Sequence, residues 1–407
     1  MGNRGSDILG RNRSFYEWQQ KRVRDKVWPF GQVLNVAASP TVRATRQSPG
    51  RAVNLSSQDY LSLSSHPDVI AAAHRAIDEH GIHSAGSACL SGNSETSLAL
   101  EREIGEWLDF DHVLLFPTGW AASYAIITAL IGPGDYVLMD ALSHSSLQQG
   151  ARAATRKVQR FNHLDNADLE ERLQKIRNRD SDAGILVVTE GLFSMDSDKP
   201  QLGEMIEQCR TWGATLLPDS AHDFGSIGPR GQGVAGEQGV LQQLNLVMGS
   251  FSKSFSSNGG FLACRSPEVR EYVKYYGSSH TFSAALSPIQ SAVARAALSI
   301  VRSEEGDRRR SDLMRNASHL RVTLEGLGLP CIGETSAVVP VRIGADALAR
   351  KTVSLLGDLG IKPNLVEYPA VPNGEARIRL QVMADHTLAQ MEEAAHSIAT
   401  CMKRAAS

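Results

Sequence analysis

The sequence predicts an α/β fold: a mainly parallel central sheet with helices on both faces, followed by a smaller α+β lobe. Three observations predict it. Between residues 51 and 286, short apolar runs alternate with helical patterns, as expected of strands that are buried on both faces and connected by helices. Polar, glycine-bearing turns follow those runs, at the positions where ligands gather beyond the carboxyl ends of an open sheet. At 407 residues and 42% hydrophobic content, the chain is also large enough to bury such a core in two or three lobes.

Three regions follow in order. Residues 1–50 read as a basic arm dotted with aromatics (Phe15, Tyr16, Trp18, Trp28, Phe30) that dock it onto the body or a partner subunit. Residues 51–286 read as the large domain, with strands expected at VLLF (113–116), YVLM (136–139), ILVV (185–188), TLLP (215–218), LVMG (246–249) and GFLA (260–263). Residues 287–407 read as the small domain. It opens on one long helical pattern, 287–306, and continues through a second charged helix to a strand at 337–343. A helix around 346–359, a strand at 376–382 and a closing helix from about 387 complete it.

Composition excludes several classes of function. The formal net charge of -2 gives no surface suited to nucleic acid, and no apolar run reaches the roughly 18 residues of a membrane span. Five scattered cysteines without a CxxC pair argue against a disulfide framework or a zinc site, and fit a reducing cytoplasm.

Chemistry concentrates after the strands. Beyond VLLF, Thr118-Gly119-Trp120 opens a helix whose free amides suit a phosphate, although such a turn is also an ordinary strand–helix connection. Beyond the next strands lie His144, Ser194, Asp219 and His222. Asp219 is the most pointed of these, because a carboxylate at a buried strand end is costly unless a cation, such as a protonated pyridine nitrogen, pairs with it. In Ser250-Phe251-Ser252-Lys253-Ser254-Phe255, directly after LVMG, the lysine can form an imine while Ser250 contacts a phosphate, or it is simply a loop lysine.

Taken together, Thr118-Gly119-Trp120, His144, TEGLFSMDSD (189–198), DSAH (219–222), SFSKSF (250–255) and ARIRL (376–380) resemble the α-oxoamine synthases, pyridoxal 5′-phosphate (PLP) transferases of fold type I. The likeness covers nearly all of the chain after residue 55. It implies that Lys253 is the Schiff-base lysine, that Asp219 keeps the pyridine nitrogen protonated, and that His144 stacks on the ring. It also implies His222 and Ser194 near the phenolic oxygen, Thr118, Gly119, Trp120 and Ser250 around the phosphate, and Arg379 on the amino acid carboxylate. Thr281 to Ala284 resemble a stretch that reaches the neighbouring subunit's phosphate, which implies a homodimer. The implied activity is an acyltransferase reaction in which an α-amino acid, as its Cα carbanion, condenses with an acyl thioester on CoA or a carrier protein. An aminotransferase of the same fold type is the alternative that shares Lys253 and Asp219.

Departures from the family pattern fall on the expected substrate side. Gln58 and Ser62 stand in Gln58-Asp59-Tyr60-Leu61-Ser62 where Asn-Asp-Tyr-Leu-Gly is common, Cys89 replaces Arg or His, Ser97 replaces a histidine, and Glu367-Tyr368-Pro369 replaces Arg-Pro-Pro. A carboxylate and a phenol at the substrate entrance suit a cationic amino acid such as S-adenosylmethionine, reacting with a non-acyl electrophile in secondary metabolism. The plainer expectation pairs Glu367 with Arg377.

Overall fold

The computed structural model describes residues 8–34, 36–43 and 51–407, so parts of the arm lie outside the described residues. Twelve strands form two sheets. In chain order they are β1 (Thr41–Arg43), β2 (Arg51–Leu55), β3 (His112–Phe116), β4 (Tyr136–Asp140), β5 (Val158–Phe161), β6 (Ile185–Glu190), β7 (Thr215–Asp219), β8 (Leu246–Ser250), β9 (Gly260–Cys264), β10 (Val338–Gly344), β11 (Ile361–Val366) and β12 (Ala376–Gln381). The large sheet has the order β3-β9-β8-β7-β6-β4-β5 and the small one β1-β2-β11-β12-β10.

All six apolar runs of the large domain are strands, and the sheet is mainly parallel. Only β9 runs against its neighbours β3 and β8. Because β3 and β8 both oppose β9, the carboxyl ends of β3, β4, β6, β7 and β8 emerge on one edge. Strands β4, β6, β8 and β9 are buried along their whole length and β7 all but its first residue, with helices covering both faces, as their unbroken hydrophobicity requires.

The sheets divide the chain elsewhere than at residue 51. Strand β2 joins the small sheet by pairing in parallel with β11, so that sheet draws on both ends of the chain. The pattern at 287–306 is not one helix. Pro288–Val301 ends at Arg302, and Ser303, extended in backbone, caps a new helix, Glu304–Gly326. The first of these buries Ala294, Ala297, Leu298 and Val301 and packs against the helices Pro67–His80 and Glu95–Leu108 of the large domain. No helix of the described residues is long and apolar enough to cross a membrane.

An aromatic core stands behind the site. Trp107, 1% exposed, meets Phe224 and Phe255 edge-on at 5.3 and 5.7 Å and donates its indole N–H to the Arg230 carbonyl at 2.9 Å. Phe224 follows His222 by two residues and Phe255 follows Lys253 by two, so this core holds both loops. Trp107→Ala is expected to cost about 3–5 kcal/mol of stability, measured by chemical denaturation.

Candidate functional site

Five strand ends converge on a cavity of about 300 Å³. From β3 come Thr118, Gly119 and Trp120, where the Thr118 hydroxyl caps the helix Gly119–Leu130 by accepting from the Ala121 amide at 3.0 Å. His144 follows β4, with Nδ1 2.7 Å from the Ser146 hydroxyl. The carboxylate of Asp219 ends β7 and accepts from the Ala221 amide at 3.0 Å. Ser250 ends β8, and Lys253 lies three residues beyond it.

This cavity fits a pyridine ring carrying a phosphate. A Cβ at Gly119 would stand 2.6 Å from the Ser250 hydroxyl, so only glycine allows the helix amides to come this close to Ser250. Gly260 backs the same point, where a Cβ would lie 2.6 Å from the Gly119 Cα. Asp219 is 6% exposed, and among the described residues no cation lies within ion-pair reach of it. A buried carboxylate without a protein cation is what a protonated ring nitrogen would satisfy.

Burial shifts the surrounding groups toward their neutral forms. Burial lowers the Lys253 amine below its ordinary range, against the pull of Asp219 and Glu190. Burial likewise pushes the His222 imidazole well down, reinforced by Lys253, while its Nδ1 lies 2.8 Å from the Tyr60 hydroxyl. His144 is also lowered by burial, partly offset by Asp219.

Sequence reasoning missed Glu190, which lines the cavity and sits directly beside Asp219 in the sheet register. Burial and then the Asp219 charge raise its carboxyl well above the usual range, and its Oε1 has no partner. The signal was available, since Glu190 ends an apolar run as Asp219 does. Tyr60, also missed, is fully buried and orients His222.

Through Gln58, Ser252, Lys253 and Asn258 the inner cavity shares its lining with an outer one of about 1080 Å³, whose lining also includes Arg379, Glu367 and Tyr368. The Arg379 guanidinium is buried and donates to the Ser194 carbonyl at 3.0 Å. No carboxylate of the described residues forms an ion pair with it, which sets aside a surface ion pair on the last strand.

Several expected residues stand elsewhere. Ser194 is buried and lines neither cavity; it serves Arg379 through its carbonyl. Thr281 also lines neither and donates its hydroxyl to the Lys274 and Tyr275 carbonyls. Glu367 is not free for a cation, because it is buried against Arg350, with Nε and Oε2 2.8 Å apart. Arg377 pairs with Asp196 instead. Of the other departures, Ser97 closes the capping box of the helix Glu95–Leu108, Cys89 lines neither cavity, and Ser62 occupies a left-handed turn at φ 56° that glycine would favour. Gln58 and Tyr368 remain at the cavities.

A second layer locks the 193–198 loop. His163 bridges two carboxylates, Nδ1 to Asp140 at 2.8 Å and Nε2 to Asp198 at 3.0 Å. Burial alone would lower its imidazole, but the hydrogen bonds of Asp140 and Asp198 raise it to about 10.

The chain matches the family described as Aminotransferase class I and II over residues 51–398. It is 36% identical over 336 residues to 8-amino-7-oxononanoate synthase of Klebsiella pneumoniae (strain 342), spanning 83% of this chain and 86% of that protein. It is 33% identical over 355 residues to serine palmitoyltransferase of Sphingobacterium spiritivorum, spanning 87% and 88%. Among solved structures, a serine palmitoyltransferase variant from S. paucimobilis with a bound PLP–myriocin aldimine superposes with a TM-score of 0.92 at 30% identity, over 98% of this chain and 99% of that one.

The His163 bridge predicts a pH dependence. A folded-state value raised from 6.5 to about 10 contributes stability that is fully present below 6.5 and is lost as pH rises through 10. His163→Gln should therefore lower Tm at pH 6.5, and the difference from wild type should shrink steadily toward pH 10 in thermal scans.

Proposed function

The chain belongs to the α-oxoamine synthase family, within the class I and II aminotransferases, and on that premise we propose that it condenses an α-amino acid with an acyl thioester to give an α-oxoamine. One observation carries the reading: an inner cavity with Lys253 and an unpaired Asp219 opens onto a larger one that holds the unpaired Arg379. The cofactor is pyridoxal 5′-phosphate, which supplies an electron sink for the pair left when a bond at the amino acid Cα breaks.

The chain's own groups do the rest. The amides at the start of the helix Gly119–Leu130, with Thr118 and Ser250, hold the phosphate. Asp219 would hold a proton on the ring nitrogen, and His144 would cover the ring face. Tyr60 fixes His222 as a neutral hydrogen-bonding group toward the ring oxygen. Lys253 would hold the cofactor covalently, and its free amine, shifted toward the neutral form by burial, could take the Cα proton. Arg379 grips the substrate carboxylate with a planar fork. The new bond joins Cα to the thioester carbonyl carbon, the C–S bond breaks, and the thiolate leaves as a free thiol with a proton.

The cationic-substrate reading is not carried forward, because Glu367 is committed to Arg350. Transamination is not favoured either, since the relatives quoted above are named as synthase and acyltransferase. A homodimer is part of the proposal. Phe282 is 87% exposed beside Thr281, and Tyr272 stacks on Tyr276 on the same exposed segment, an apolar surface suited to a second copy.

Borohydride treatment should fix PLP on the Lys253 peptide by mass spectrometry, and Lys253→Ala should abolish it; an adduct retained elsewhere overturns the assignment. Asp219→Asn should keep PLP but slow solvent exchange of the substrate α-proton by about two to three orders of magnitude. Sedimentation should find a dimer, and a fully active monomer would refute that part.

A further inference from the structure

The outer cavity is larger than an amino acid needs. At about 1080 Å³ it lies at the upper end of small-molecule sites, so a second, bulkier group has to fill it. Its outer wall is the N-terminal arm. The helix Arg13–Arg24 buries none of its residues, and Phe15 remains 61% exposed. Phe15 stacks on Trp18 at 5.7 Å, Trp18 meets Trp28 edge-on at 5.7 Å, and Trp28 meets Phe30 at 5.0 Å. All four line the cavity, with Val293, Leu365 and Val366 supplying further apolar surface. Folding this chain leaves Phe15 and Phe30 exposed and Trp18 and Trp28 half-buried.

Charge around the wall argues against a cation as occupant. The guanidinium of Arg22 lies 3.6 Å from the centre of the Trp18 ring and that of Arg350 5.2 Å from it, so the chain's own cations already use that ring. Arg350 in turn neutralises Glu367. The arm is anchored to the small domain, where the Ser354 hydroxyl donates to the Lys26 carbonyl at 2.7 Å. The arm's side of the cavity is aromatic, polar side chains such as Ser56, Ser57 and Gln290 line other parts of it, and the same cavity reaches Lys253 and Arg379.

We propose that the arm's aromatic wall, with Trp18 and Trp28 at its centre, is the acyl subsite, and that it selects a thioester whose acyl group is an unsubstituted hydrocarbon or aryl chain. A dicarboxylic acyl group is disfavoured, because its distal carboxylate would be stripped of water against indole rings. This assignment rests on the condensation proposed above.

The experiment uses holoenzyme with glycine, alanine or serine and a series of CoA thioesters, acetyl, butanoyl, hexanoyl, octanoyl and glutaryl, reading release of free thiol. Wild-type kcat/KM should climb roughly fourfold per methylene through the series, with glutaryl at least about tenfold below hexanoyl. N-acetylcysteamine thioesters should show the same slope, because the wall touches the acyl group and not the carrier. Trp18→Ala with Trp28→Ala should flatten the slope, and Trp18→Phe should retain it. Amino acid binding, read from the cofactor's absorbance change, should stay the same in all three proteins, since Arg379 is positioned by Ser194 and Met195 and not by the arm. A slope insensitive to the double variant, or absent in wild type, overturns the acyl subsite while leaving the condensation standing. No thiol release with any pair overturns the condensation itself and this assignment with it.

Discussion

A buried carboxylate that the protein does not neutralise organises this molecule. Asp219 ends β7 within the sheet, and none of the described residues offers it a cation. Leaving such a charge unpaired in a low-dielectric interior is expensive, so its neighbours adjust around it. Glu190, one strand away at the same level, is driven toward its neutral form first by burial and then by the neighbouring Asp219. Lys253 and His222 are pressed the other way by burial. Burial thus shifts Glu190, Lys253 and His222 each toward its neutral form around Asp219, and a cationic ring nitrogen would complete the site.

Rigidity follows from packing around that charge. Gly119, Ser250 and Gly260 approach one another so closely that a single added Cβ at either glycine collides with the opposite element. Behind them Phe251 stacks on Phe261 and meets Phe255 edge-on, continuing the Trp107 core beneath the lysine loop. The His163 bridge fixes the loop that offers the Ser194 carbonyl to Arg379, so a half-buried ion cluster outside both cavities orients the guanidinium within one.

Legibility in the sequence tracks how local each feature is. Strands buried on both faces were readable as apolar runs, and the residues just beyond them were readable as the inner cavity. Strand β5, with its alternating Val-Gln-Arg-Phe at the sheet edge, and β2 and β11, whose parallel pairing joins residues some three hundred apart, carry no such run. The break at Arg302-Ser303 was hidden by helical periodicity continuing on both sides of a capping serine. Glu367 was misread because its partner, Arg350, lies on a helix of the small domain and not on the neighbouring strand. Ser62 and Ser97 looked like substrate-side changes but answer to a backbone turn and a helix cap. Glu190 went unread although the reasoning applied to Asp219 covered it equally.

The same distinction separates the two cavities. The inner one is assembled from short peptides, each following its own strand, and the chemistry of each peptide is evident in isolation. The outer one takes its wall from the arm, its floor from β12 and its side from the helix Pro288–Val301 and the segment after β11, so its character emerges only when distant pieces meet. Aromatic residues of the arm both lie against the small domain, as Trp18 does on Arg350, and face a space continuous with Lys253, while an acidic residue that seemed to invite a cation is silenced by an arginine from another element. Cofactor chemistry is therefore written in contiguous motifs, while the choice of what is joined to the amino acid is written in the tertiary arrangement of an arm that the core does not need.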